Sequence, residues 1–129
     1  MPALEPVEAW RVVASPAAVD GAGWQGDAVD VLRIAPDEAL GIGSTGVEVA
    51  ADADAIVEPE AGFSVALLSR DEVAALAAHT EWIVPAGAPA GTLAQGKVAG
   101  VPAKLVIGDP SILVVQTAFA DELRARLGW

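Results

Sequence analysis

The chain has 129 residues, 53% of them hydrophobic, which is close to the usual size of a single domain with enough apolar material for one core, so residues 1–129 are expected to form one compact domain. With 18 acidic against 7 basic residues and a net charge of −11 it repels polyanions, which argues against nucleic acid and anionic membrane surfaces as partners. The absence of cysteine excludes disulfides, thiolate metal sites and a cysteine nucleophile and fits a cytoplasmic location.

No apolar run approaches the roughly 20 residues of a membrane-spanning helix, and Met1 to Glu8 carries two acids and no base, unlike a secretory signal. Charge is uneven along the chain: residues 1–60 hold 12 acids and 2 bases, residues 61–129 hold 6 and 5. A solvated acidic face is the first reading of that asymmetry and a contact with a basic partner the second.

The first half is β-rich. Trp10–Val13, Val29–Ile34, Ala39–Ile42 and Val47–Val49 each suit a strand, and Gly43–Gly46 reads as a hairpin turn. Gly62–Leu68 reads as a short buried strand. Ser69-Arg-Asp-Glu72 then matches a capping box, in which serine and glutamate side chains each satisfy an orphan amide at a helix start. The helix begins near Arg70, buries Val73, Leu76 and Ala77 along one stripe, and ends around His79 and Thr80. Trp82–Val84 resembles a returning strand, and Pro85–Gly91 has the composition of a surface loop.

Beyond the loop, Ala103–Ile107 and Ile112–Gln116 flank the turn Gly108-Asp-Pro110 as an antiparallel hairpin. Thr117 can cap a last helix in which Phe119, Leu123 and Leu127 recur at i, i+4 and i+8, with acids early, arginines late and Gly128 as the stop. The order predicts an α+β fold, an antiparallel or mixed sheet with two helices packed on one face.

Few side chains offer chemistry. Gly91-Thr-Leu-Ala-Gln95-Gly96-Lys97 fits seven positions of a phosphate-cradling loop, but Val98 replaces the hydroxyl that holds magnesium, and Gly100 and Pro102 contradict the following helix. His79 is the only histidine, and the intervening helix puts Ser69 roughly 15 Å away, so it reads as a complement to the helix dipole or a neighbour of Trp82. Glu48, Asp52, Asp54, Glu58 and Glu60 could offer oxygen ligands to calcium, yet they lack the glycine of an ion loop and Pro59 divides them. No catalytic residue, metal or cofactor is assigned.

Four tryptophans are many for this length. Trp82 reads as core, whereas Trp24, in a Gly-rich segment, and the terminal Trp129 need something to cover them. Trp24, Trp129, Gln95 and Lys97 are therefore the candidate ligand or partner contacts, with the Gly87 to Gly100 region as the contact segment.

Two stretches carry a resemblance. Val31-Leu-Arg-Ile-Ala-Pro-Asp-Glu38 through Ile42, and Leu113-Val-Val-Gln-Thr-Ala-Phe-Ala120 through Leu127, resemble the sarcosine oxidase gamma-subunit group of the folate-binding, aminomethyltransferase-like superfamily. The match covers about a third of the chain and its elements are structural, so no ligand-binding residue is carried over. It implies an α+β domain serving as an accessory to amine-oxidising or one-carbon enzymes. The sequence is read as a non-enzymatic interaction or accessory-subunit module that binds a protein partner or its own copies. The alternative is a small-molecule, folate-related binding domain within such a complex.

Overall fold

The computed structural model describes residues 2–84 and 87–129, so Pro85 and Ala86 of the expected loop lie outside the described residues. The fold is α+β and the strand pairs are antiparallel, as expected. Two compact units are present: Val7–Ala61, and Gly62–Trp129 together with the residues up to Pro6. Among the described residues no helix is long and apolar enough to cross a membrane.

The unit Val7–Ala61 is built on β1 (Glu5–Val13), β3 (Asp30–Ala35) and β4 (Glu38–Ile42), with β4 in the middle, paired to β1 and β3. A short helix α1 (Pro16–Asp20) and a ribbon of β2 (Gly23–Gln25) with β5 (Gly46–Glu48) complete it, together with the first part of β6 (Ile56–Leu68). Val12 and Ala39 face each other across β1 and β4 and are buried with Ala18 and Val19 of α1, against half-buried Trp24, Val47 and Val49. Five residues are too few to show a helical period, so α1 escapes a pattern search. Its local signal is Ser15-Pro16, a serine whose hydroxyl accepts from the Ala18 amide before a proline at the first helical position.

The hairpin expected at Gly43–Gly46 is not one. Both edges of β4 are already occupied, so β5 pairs instead with β2, Trp24 opposite Val47. The connection is fixed by the buried Ser44 hydroxyl, 2.9 Å from the Gln25 carbonyl and 2.6 Å from that of Gly46.

In the other unit the later part of β6 lies beside β9 (Ser111–Gln116), followed by β8 (Val101–Val106) and β7 (Leu93–Val98). Period-two alternation sends Ala66, Leu68, Leu113, Val115, Ala103, Leu105 and Val98 to one face. There they are buried with Val73 and Leu76 of α2 (Arg70–Leu76) and Ala120 and Leu123 of α3 (Ala120–Leu127), the two helices on one face that the sequence predicts. α2 starts at the full capping box: the Ser69 hydroxyl accepts from the Glu72 amide at 3.2 Å, and the Glu72 carboxylate accepts from the Ser69 amide at 2.8 Å. It tightens into a 3₁₀ turn over Ala77–His79, where the sequence places its end.

Three expectations change here. Trp82–Val84 forms no strand; among the described residues nearby the ladder contact is a single bridge from Thr80 to Val98, because the Trp82 indole is committed elsewhere. Thr117 does not cap α3. Its hydroxyl pairs with Ser64 on β6 at 2.9 Å, and a 3₁₀ turn over Thr117–Phe119 leads into the helix. The β6 strand starts six residues before Gly62, since charged and proline residues that mask strand character in the sequence are accommodated on its exposed first part. Gly128 does end α3, in the left-handed conformation with φ 73°.

The capping box gives the first test. Ser69→Ala removes one acceptor at the start of α2 and should cost about 1 kcal/mol, read from urea denaturation. Glu72 is held below its usual carboxylate range by the Ser69 amide first and the Ser69 hydroxyl second. A carboxylate with a lowered folded-state pKa stabilises above its unfolded value, and that contribution is lost as pH falls through the folded one. Wild-type protein should therefore lose stability on acidification below the ordinary value of 4.5, and Glu72→Gln should flatten that part of the profile.

Candidate functional site

The glycine-rich stretch ending at Lys97 is a strand, not a loop. Gln95-Gly96-Lys97 lies within β7, paired to Lys104, Ala103 and Pro102 of β8. The β7–β8 turn carries Ala99 at φ 49° and Gly100 at φ 81°, the two positive values of a tight hairpin, so no helix N-terminus follows to receive a phosphate. The turn is anchored from two sides: the Ala99 amide donates to the His79 carbonyl at 2.7 Å, and Arg126 of α3 donates to the Ala99 carbonyl.

Gln95 and Lys97 are exposed on the same face of β7, opposite the helix-covered one, because their side chains alternate with those of Gly96 and Val98. Lys97 also lines a hollow of about 260 Å³ with His79, Glu81 and Gly100. Beneath it, the Trp82 indole N–H donates to the Lys97 carbonyl at 2.9 Å. The ring lies so close to Gly96 that an added Cβ would fall 2.5 Å from its Cδ1 atom.

Trp24 is placed in the same manner. On β2, half-buried, it lies over Gly41 of β4, where an added Cβ would fall 2.5 Å from the indole Cζ3 atom. Its candidate partner is thus the sheet of its own unit. Trp129 is half-buried against the α2–α3 core and borders a small hollow of about 120 Å³ with His79, Leu127 and Pro2. The structure brings Gln95 and Lys97 together on one strand and sets Trp129 on another surface of the same unit. Trp24 belongs to the other unit.

The acidic group does not converge on an ion. Asp52 accepts from the amides of Ser15 and Asp54, both at 2.9 Å, which lowers its pKa, Ser15 contributing most. Glu58 and Glu38 both pair with Arg11 at 2.9 Å, raising the guanidinium's pKa, with the Glu38 bond the larger cause. Among the described residues no three acidic or histidine side chains are grouped to hold a metal.

The run Arg33 to Glu38 is likewise structural. A bulge between Arg33 and Ala35 turns the guanidinium onto the carbonyls of Ala35, Pro36 and Pro16 and the Asp20 carboxylate, tying α1 to the β3–β4 turn.

A larger concavity lies beside a tryptophan that the sequence did not single out. Trp10, on β1, borders a hollow of about 420 Å³ with Glu8, Thr45, Pro59 and Glu60. Glu8 and Trp10 share a face because they are two residues apart on a strand. Trp10 stands opposite Gly41, so the same face carries the Trp24 ring. The signal available in the sequence was Glu8-x-Trp10 alternation; its junction with Pro59-Glu60 depends on the path of β6.

No family model matches the chain, and no curated protein matches it in sequence. Solved structures do: the chain superposes with a TM-score of 0.71 on a chain of the heterotetrameric sarcosine oxidase from Corynebacterium sp. U-96 in complex with pyrrole 2-carboxylate. The two are 15% identical, and the match covers 98% of this chain and 81% of that one. The fold is therefore that of a subunit of heterotetrameric sarcosine oxidase, in line with the resemblance read from the sequence.

The close ring contacts generate the second test. Gly41→Ala and Gly96→Ala each force an indole out of its seat, and each should destabilise by about 1–3 kcal/mol, as overpacking does. Urea denaturation followed by tryptophan fluorescence measures both; an unchanged midpoint would show that the rings are not seated on the glycines.

Proposed function

We propose that this chain is an accessory, non-catalytic subunit of an amine-oxidising protein complex. The observation that carries the reading is the shared fold with a chain of a heterotetrameric oxidase, extending over nearly the whole of this chain. Its own residues agree with such a role. Arg11, Arg33, Asp20, Glu38, Glu58, Asp52, Glu72, Ser44, Ser64 and Ser111 are all engaged in internal contacts. Surface apolar residues remain for a partner to cover, Ile83 at 94% exposure and Leu67 at 59% foremost. Gln95 and Lys97, on the exposed face of β7, and Trp129, at the end of α3, are contact residues in this reading.

A second reading, small-molecule binding inside the complex, is supported by the hollow beside Trp10. It adds a ligand to the accessory role.

Affinity purification of the tagged chain from its native cells, with size-exclusion chromatography and mass spectrometry, tests the proposal. The expected result is a stoichiometric hetero-oligomer that consumes oxygen with sarcosine or another secondary amine, while the isolated chain turns over none. A chain recovered as a lone monomer, or one that oxidises amines unaided, would refute it.

A further inference from the structure

We infer that the hollow bordered by Trp10, Glu8, Thr45, Pro59 and Glu60 is a binding site for a small organic cation, an alkylated ammonium in particular. An indole supplies an apolar wall whose π-face carries negative potential and attracts a cation within about 6 Å of the ring. Two carboxylate residues, one on β1 and one on β6, border the same space, and no lysine, arginine or histidine lines it. No described group accepts the Trp10 indole N–H, and no described base pairs with Glu8. The hydroxyl of Thr45 adds a neutral acceptor at the rim.

The charge of the surroundings acts in the same direction. Residues 1–60 carry 12 acids and only 2 bases, and both of those bases are consumed: Arg11 by Glu38 and Glu58, Arg33 by Asp20 and backbone carbonyls. The net field over this unit therefore attracts cations and repels anions. A hollow of about 420 Å³ is larger than a bare inorganic ion requires and falls in the range that holds small organic molecules.

An inorganic cation would leave the indole unused and asks for several converging oxygens, a grouping absent among the described residues. An alkylated ammonium uses both halves of the site, methyl groups against the ring and charge toward the carboxylates. The same hollow would reject an uncharged molecule of equal shape less by size than by the loss of that charge term.

The inference does not depend on the accessory-subunit role, since the isolated folded chain is the object tested. Choline chloride is titrated at low ionic strength against ¹⁵N-labelled protein, with sodium chloride as the salt control and 3,3-dimethylbutan-1-ol as the uncharged isostere. The indole N–H signal of Trp10 is assigned by its loss in Trp10→Phe. The expected result is a saturable shift of that signal with choline, with the isostere bound roughly three- to thirty-fold more weakly. Glu8→Gln combined with Glu60→Gln should weaken choline binding by a similar factor, and added salt should weaken it further. Trp10→Leu should abolish it, read at the signals of neighbouring residues. If Trp10→Leu does not fold, the glutamine pair alone decides. Equal binding of alcohol and choline, undiminished binding in the glutamine pair, or no shift at Trp10 would each overturn the inference.

Discussion

Two close approaches of an indole to a strand glycine organise this chain, one in each unit. Trp24 lies on Gly41 and Trp82 on Gly96, each at a distance that leaves no room for even a methyl group. A large ring can cap a sheet only where the strand beneath it drops its side chain, so glycine, which weakens a strand by its own entropy, is retained at both positions. In the unit Val7–Ala61 this lets the β2–β5 ribbon and α1 pack over β1 and β4. In the other unit it draws the segment after α2 across β7, where the Trp82 N–H reaches the Lys97 carbonyl at 2.9 Å.

The same contacts explain the uneven legibility of the sequence. The capping box at Ser69, the burial of Val73 and Leu76 on α2, the extended runs of β8 and β9 and the terminating Gly128 are local signals, each complete within a few residues, and each is found where the pattern puts it, whereas Ala77, assigned to the same stripe, is exposed in the turn after α2. What the pattern misplaces is decided by residues far apart. Trp82–Val84 has strand composition, but the ring is held by a glycine 14 positions on, and Thr117 has cap composition, but its hydroxyl serves Ser64, 53 positions back. The hairpin assigned to Gly43–Gly46 is locally sound and is displaced by competition for the edges of β4.

Among candidate contacts the same logic separates surface from interior. Trp24 in a glycine-rich stretch looks uncovered in sequence, whereas its cover is Gly41 and the packing around it. Trp10 looks like an ordinary strand residue, yet it is the tryptophan that borders a hollow with acids beside it. No short window contains that arrangement, because Glu8 and Trp10 precede Pro59 and Glu60 by about fifty residues. The Gly91–Lys97 stretch shows the converse: seven matching positions carry no phosphate chemistry once the backbone is a strand ending in a tight hairpin.

Charge then gives the two units different surfaces. Carboxylates that structure the chain are individually engaged: Glu38 and Glu58 on Arg11, Asp20 on Arg33, Asp52 on the amides of Ser15 and Asp54, Glu72 on the amide of Ser69. These interactions are short-ranged, and several place a negative group against backbone N–H donors without neutralising its charge. The first half thus keeps nearly all of its negative charge at the surface while satisfying its internal hydrogen bonds. Fields of that kind fade over a Debye length of about 8 Å at physiological salt, so they select what approaches the unit more than they stabilise it. The second half is nearly neutral and exposes aliphatic side chains such as Leu67 and Ile83, a surface suited to contacts made by burial instead of charge.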